Sequence, residues 1–298
     1  MSSERAGVRT FATTSVTIEQ ALAAKGGASI SVCIPCRNEE RTVGTIVAAI
    51  REGLVDQHGL VDEILILDDR STDATADVAR SEGAVVVHVD EVATGMPSGR
   101  GKGNVLWSTL LASKGDLVVW CDADLTSFSA DWITKLVFPL LSDPSVQLVK
   151  AFYERPTDIA GQGGGRTTEL AARPLLSLLY PSLALLAQPL SGEVAGRRTA
   201  LEALTFVQGW GVEVAVLVDI VEMFGVSAIA QVDLGVRKHR HRPLADLSVQ
   251  AAEIALTLLL RSGSVDLGDV EQVLRRPDGS TVALNVASRP AVVTLSRL

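Results

Sequence analysis

The sequence predicts an α/β fold with a Rossmann-like half near its N-terminus. Short apolar runs rich in β-branched residues alternate with stretches of helical spacing. Two of those runs, Ile64–Leu67 and Leu117–Trp120, end abruptly in carboxylates. A chain of 298 residues, 47% hydrophobic and 21% charged, is large enough to bury the core such a fold needs. Strands covered on both faces read as near-continuous apolar runs, and a strand–helix rhythm gives parallel units with right-handed crossovers.

The elements follow in order. Residues 1–27 are weakly patterned and predict an N-terminal arm, partly flexible. Ser29–Ile34 is a strand ending at Pro35, and Glu39–Arg51 has helical spacing with Val43, Ile46, Val47 and Ile50 on one face. Ile64–Leu67 is the second strand. Its end, Asp68-Asp69-Arg70-Ser71-Thr72-Asp73, leads into a helix from about Thr72 to Glu82, started by a Thr/Asp cap. Ala84–Val89 is the third strand. A glycine-rich loop, Thr94 to Gly103, precedes a helix from about Asn104 to Ala112, and Asp116–Cys121 is the fourth strand.

Beyond Asp124 the pattern loosens. Trp132–Leu141 reads as a helix, Val146–Phe152 as a strand and Gly161–Arg166 as a polar loop. Thr168–Leu186 reads as a long apolar helix interrupted at Pro174 or Pro181. Glu213–Phe224 is an apolar helix, Ser227–Leu234 a strand, Arg237–Arg242 a dense cationic run and Leu244–Arg261 a helix. The tail after Ser262 is weakly patterned. The expected organisation is an arm (1–27), a nucleotide-sugar-binding half (28–124), an acceptor-binding half (125–262) and a tail (263–298).

Composition excludes several classes. A net charge of −8 argues against a general nucleic-acid surface. No apolar run approaches the about 18 residues of a membrane span, and the N-terminus lacks a secretory core. Cys33 and Cys36 have no second pair to complete a zinc site, so the three cysteines read as reduced thiols in a cytoplasmic protein. The first strand is not followed by G-x-G-x-x-G, and no Walker lysine loop is present, which weakens nicotinamide and P-loop readings.

The chemistry gathers on a few positions. Asp122-Ala123-Asp124 leaves a buried strand. Two unpaired charges cannot stay inside the sheet, so they belong at its carboxyl edge, where open α/β sheets bind ligands. There they suit Mg²⁺, which takes one or two carboxylates plus substrate phosphates, or they form a turn. Asp68-Asp69 ends a strand the same way, as an acceptor for base or ribose groups or as a capping cluster. Gly101-Lys102-Gly103 taken alone favours a surface loop, with a diphosphate contact as the alternative. Gly163-Gly164-Gly165-Arg166-Thr167-Thr168 combines backbone N–H groups, an arginine fork and hydroxyls, which favours an anion site. His239 and His241 sit in a cationic run that favours a local anion pocket, either being a metal ligand, a phosphate donor or a surface residue. Glu213, in an apolar helix, either pairs with an arginine or holds sugar hydroxyls.

Taken together, the strand ending at Pro35, the Leu67–Asp73 segment and Asp122-Ala123-Asp124 resemble a GT-A glycosyltransferase. The resemblance is closer to the actinobacterial glucosyl-3-phosphoglycerate synthases. It extends through Gly101–Gly103, Gln147–Lys150, Gly163–Arg166, Gln188–Glu193, Gly211–Glu213, Ala230–Val232, Leu234–Arg237, His239-Arg240 and Arg242–Leu244, in order over about residues 28–262. It implies a GT-A fold with a mixed central sheet and a C-terminal acceptor-binding half. It implies transfer of glucose from UDP-glucose to the 2-hydroxyl of 3-phosphoglycerate, with retention, a divalent metal (Mg²⁺ or Mn²⁺) and a homodimer. By position, Pro35, Cys36, Arg37, Glu39 and Asp69 would surround the uridine. Lys102, Asp122 and Ala123 would hold the nucleotide, and Asp124 and His239 the metal. Leu190 and Glu213 would line the sugar pocket, with Asp124, Glu213 and His239 the catalytic set. Gly165, Arg166, Thr168 and His241 would grip the acceptor. A mannosyl-3-phosphoglycerate synthase, or a paralogue with another phosphorylated acceptor, would present nearly the same motifs. Nucleotidyl transfer is disfavoured by Pro35-Cys36-Arg37-Asn38-Glu39-Glu40 after the first strand, where glycines and arginines would be expected. A non-catalytic nucleotide-sugar sensor is disfavoured by the retained Asp122, Asp124, Lys102 and His239.

Overall fold

The structure is a computed structural model that describes residues 7–11, 16–154, 165–237, 244–266, 268 and 272–295. Its centre is an eight-stranded mixed sheet. The strands in chain order are β1 (Arg9–Phe11), β2 (Ile30–Cys36), β3 (Glu63–Asp68), β4 (Val85–His88), β5 (Leu117–Trp120), β6 (Leu148–Glu154), β7 (Val194–Arg197) and β9 (Ile229–Val236); β8 (Phe206–Val207) lies outside this sheet. Spatial order is β1-β9-β6-β7-β5-β2-β3-β4. All neighbours are parallel except β7, which runs antiparallel to both β5 and β6.

Side-chain alternation splits each buried strand between two cores. Val32, Ile34, Ile66 and Val119 face one, and Cys33, Leu65, Val118 and Trp120 face the other. The first core is covered by α1 (Ile18–Lys25), α2 (Val43–Ile50), α3 (Thr75–Ser81) and α5 (Asp131–Ser142). The second is covered by α4 (Lys102–Ala112), α6 (Arg173–Leu179), α7 (Arg198–Glu202), α8 (Val212–Phe224) and α9 (Leu244–Arg261). Two sets of helices around one sheet make the three-layer α/β arrangement. The predicted face of α2 is the one that is buried, all four residues being fully inaccessible.

Several expectations shift. The first strand carries on through Pro35 to Cys36. Proline is tolerated there because the Pro35 nitrogen falls where the strand is about to leave the sheet. The helix predicted from Thr72 starts at Thr75, because Asp73 accepts from the Thr75 backbone N–H at 3.0 Å and so caps it from two residues upstream. Lys102, expected in the loop, opens α4, with Gly101 at φ +92° as its cap. The long helix over Thr168–Leu186 is instead a π-helical turn (Thr168–Ala172), α6 and a 3₁₀ turn (Leu183–Leu185). Pro174 falls where the π-helical turn passes directly into α6, at a junction inside one helical run, and that run ends at Leu179, before Pro181.

The two ends of the chain are better ordered than their patterning implied. The arm contributes α1, closed by a Thr17–Gln20 capping box, and β1, which pairs with β9. The tail contributes a hairpin, β10 (Val273–Arg275) with β11 (Thr281–Ala283), and β12 (Ser288–Arg289), which pairs antiparallel with β8. No helix among the described residues is long and apolar enough to cross a membrane.

Candidate active site

β2 lies between β3 on one side and β5 on the other, although β5 comes after β4 in the chain. The strand order therefore reverses beside β2, and at such a point the loops at the carboxyl ends splay apart to leave a crevice. A cavity of about 490 Å³ opens there. Pro35, Cys36, Arg37 and Glu39 after β2, Asp69 after β3, and Asp122, Ala123 and Asp124 after β5 line it, together with Lys102, Leu190 and Glu213 and with Gly165, Arg166 and Thr168. Every predicted site residue that the structure describes lines this cavity. His239 and His241, with Gly163 and Gly164, lie outside the described residues.

The two loops at the β2 and β3 ends are tied together. Asn38 at φ +58° and Arg70 at φ +60° both occupy the left-handed region, which costs a non-glycine residue of order 1 kcal/mol and tends to mark functional turns. The Asn38 N–H donates to Ser71 Oγ at 3.0 Å, and the Thr72 N–H donates to Asn38 Oδ1 at 2.8 Å. Arg70 holds Asp69 at 2.7 Å, with Arg37 3.8 Å away on the other carboxylate oxygen. Asp69 is thus presented at the cavity edge by two arginines. Asp68 turns away to His88, 3.0 Å from its Nδ1.

The centre of the site is a chain of alternating charges. Asp122 takes Lys102 Nζ at 3.3 Å on one oxygen and Arg237 Nη2 at 2.7 Å on the other. Lys102 Nζ continues to Glu213 Oε1 at 2.8 Å, so the glutamate's partner is a lysine rather than the expected arginine. Arg237 Nη2 also lies 3.2 Å from Glu193 and 3.8 Å from Asp124, and its Nη1 donates to the Tyr153 hydroxyl at 2.9 Å. Burial works against these charges, and the ion pairs outweigh it. Lys102 is held above the ordinary lysine range by Asp122 and Glu213, and Asp122 well below the usual carboxylate range by Lys102 and Arg237. Glu193 is fully inaccessible, and burial raises its carboxyl despite Arg237.

With Asp122 engaged by two cations, Asp124 has, among the described residues, the longer contact to Arg237, and it lines the cavity. Among the described residues no three metal-ligating side chains gather in one place. A hard divalent cation needs few protein ligands when diphosphate oxygens complete its shell, and a cavity-facing carboxylate beside a cation-neutralised one fits that requirement. The lining also suits anions, since Lys102, Arg237, Arg37 and Arg166 all reach it.

Patterning alone gave no role to Trp210, Leu247, Gln250, Glu193 or Lys150, and it placed Arg237 only as the first residue of the cationic run. Only some of these carried a readable signal. Lys150 stands in the middle of the apolar Leu148–Phe152 run, and Arg237 follows directly on a strand. Trp210 and Gln250 have no local signature, because their role depends on which helix faces the cavity.

Comparison with known proteins identifies the fold and the family. The model of Glycosyl transferase family 2 matches residues 31–202. The glucosyl-3-phosphoglycerate synthase of Mycolicibacterium smegmatis is 43% identical over 287 residues, covering 94% of each chain. That of Petrotoga mobilis is 40% identical over 288 residues, covering 91% of this chain and 88% of its own. The crystal structure of the Mycobacterium tuberculosis synthase with Mn²⁺, UDP-glucose and phosphoglyceric acid superposes with a TM-score of 0.87 at 40% identity, covering 96% of this chain and 98% of that one. Its complex with Mn²⁺, UDP and glucosyl-3-phosphoglycerate gives the same TM-score. The GT-A fold expected from the motifs is therefore the fold of this chain. A mixed sheet with acidic strand ends, a lysine–aspartate–arginine chain at its switch point and this near full-length identity together make the chain a member of glycosyl transferase family 2, among the glucosyl-3-phosphoglycerate synthases.

Proposed function

We propose that the protein transfers glucose from UDP-glucose to the 2-hydroxyl of 3-phosphoglycerate, with retention at the anomeric carbon, giving glucosyl-3-phosphoglycerate. The observation that carries this reading is the single cavity running from the strand tips to Gly165–Thr168 across the Lys102–Asp122–Arg237 chain. Such a cavity can seat two phosphorylated substrates end to end. Relatives that share the fold at 40% identity are complexed with UDP-glucose and phosphoglyceric acid.

In this reading Asp69 and the 35–39 loop receive the nucleoside, and a carboxylate there accepts a base N–H. Lys102 places its charge beside the diphosphate, where charge grows as the glycosidic bond breaks and electrostatic help has most effect. Glu213 and Leu190 face the sugar, with Glu213 accepting from its hydroxyls. Arg166 and the Thr168 hydroxyl hold the acceptor's phosphate and carboxylate, Arg166 through the fork geometry of guanidinium; His241 stands with them in the assignment by sequence. Asp124, with His239, would hold Mg²⁺ or Mn²⁺, which when bound supplies positive charge to the departing diphosphate. Among the described residues Glu213 is engaged by Lys102, and Asp122 by Lys102 and Arg237, so this reading assigns no covalent nucleophile and makes the leaving phosphate the base for the acceptor hydroxyl.

We further infer a homodimer and a cytoplasmic setting. Leu170, Leu178 and Leu185 are 78%, 78% and 67% exposed in three successive helical segments, apolar surface that a second copy would cover. The three cysteines are buried thiols, the usage of a reducing compartment. The test is a matrix of sugar nucleotides against phosphorylated acceptors with Mn²⁺ or Mg²⁺, read as nucleoside diphosphate release. UDP release that requires both UDP-glucose and 3-phosphoglycerate is the expected result. Release only from a GDP-sugar, or none with any pair, would overturn the assignment.

A further inference from the structure

Lys102 and Glu213 meet at 2.8 Å although they start two different helices, α4 and α8. Neither helix start carries a side-chain cap of its own. Both are instead tied to Glu253, on α9, by way of the C-terminal tail. Glu253 is 4% exposed and points at the junction. Its Oε2 accepts from the Trp210 N–H at 2.7 Å, immediately before α8, and its Oε1 accepts from the Asn285 N–H at 2.8 Å in the tail. Asn285 Nδ2 then donates to the Arg100 carbonyl at 2.7 Å, one residue before the Gly101 cap of α4. Gly209 lets these strands of chain close. A Cβ there would stand 2.2 Å from Glu253 Oε2 and 2.3 Å from the Asn285 carbonyl. A Cβ on Gly101 would meet the Gln208 carbonyl at 2.7 Å. The contact leaves no room for slack, and each oxygen of one buried carboxylate serves a different arm of the site.

We propose that Glu253 is a positioning residue for donor binding, setting the Lys102 and Glu213 helix starts relative to each other through Asn285 and Trp210. It touches no substrate and acts only by fixing where the lysine and glutamate stand. The tail, far from the site in sequence, is thereby part of the donor subsite. The acceptor end rests on a different side chain of the same helix, Thr167 Oγ1 donating to Gln250 Oε1 at 3.4 Å, so a change confined to the Glu253 carboxylate leaves that contact in place. The inference rests on the donor assignment made above.

The test is Glu253→Gln in the full chain, which preserves volume and removes one acceptor, leaving one backbone N–H unsatisfied. UDP binding with Mn²⁺ by calorimetry is measured beside KM for each substrate, kcat and the melting temperature. Expected are a loss of UDP affinity and a rise in KM for UDP-glucose of about tenfold, KM for 3-phosphoglycerate within about twofold, and a nearly parental melting temperature. Parental UDP affinity in E253Q, or an equal loss for both substrates, overturns the proposal. Should E253Q fail to fold, Asn285→Ala, in the half-buried tail, carries the same expectation of a donor-only loss, and parental donor KM in it overturns the proposal too. A parent protein that binds no UDP would instead remove the donor assignment itself.

Discussion

The charge chain makes Asp122 and Asp124 different although they stand two residues apart. Asp122 is engaged by Lys102 and Arg237, whereas Asp124 has only the 3.8 Å contact to Arg237 among the described residues, which fits the metal role proposed for it. Asp124→Ala should therefore abolish metal-supported turnover, read as UDP release across a Mn²⁺ titration, while leaving the fold intact. Turnover at the parental rate in that variant would exclude Asp124 as a metal ligand. Lys150 makes a second residue-scale prediction. It is 2% exposed in β6 and, among the described residues, donates to the Ser191 carbonyl, at 2.6 Å. Burial pulls its ammonium down to about 8 from the ordinary 10.5, with Glu213 opposing. Between those values the unfolded chain holds a proton that the folded chain has released, so this group makes stability rise as pH goes from 8 to 10.5. The buried thiols, whose titration burial raises, push the other way over part of that range. The readout is consequently the difference between the parent and Lys150→Met in denaturant midpoints, pH by pH. The variant should lose a rise on the order of 3 kcal/mol; parallel curves would refute the assignment.

At the scale of elements, close approach matters more than propensity. β7 is a four-residue strand with a glycine and an arginine in it, yet it sits between β5 and β6 and reverses the local direction of the sheet. The residue before its preceding glutamate, Gly192, lies under Asp122, and a Cβ there would stand 2.2 Å from the carboxylate. Gly192→Ala should push Asp122 off Lys102 and Arg237. A fall of at least about tenfold in kcat/KM for UDP-glucose is expected, with the melting temperature lowered by only a few degrees; undiminished kcat/KM would show that Asp122 tolerates the shift. Gly103 is a different case. Its Cβ would meet the Val207 carbonyl at 1.8 Å inside α4. Gly103→Ala should reduce stability as well as activity, because backbone rather than a movable side chain must give way.

At the scale of the molecule, the net charge of −8 is matched by a cavity whose four cations, Arg37, Lys102, Arg166 and Arg237, stand among five carboxylates, Glu39, Asp69, Asp122, Asp124 and Glu213, so attraction for anionic substrates rests on individual side chains rather than on net charge. The exposed leucines of the 168–185 region give the whole-molecule prediction. Light scattering of the purified protein should report a dimer, and Leu178→Glu should shift it toward monomer; a parent that is monomeric at micromolar concentration would rule out that interface.

The sequence by itself determined the β2–β5 rhythm and the acidic strand tips. A parallel strand buried on both faces must be apolar throughout, and a charge that follows it must stand at the sheet's edge. Those rules are local, so they could be read from Ile64–Leu67 and Leu117–Asp124 alone, and the ordered motifs did the rest of the recognition. Only the tertiary structure decided that Glu213 is answered by Lys102, that Arg237 reaches Asp122 across 115 residues, and that the unpatterned tail bonds to the turn before α4. These are pairings between distant segments. They depend on how α8, α9 and β9 dock against the sheet, and side-chain spacing along any one segment carries no record of that docking.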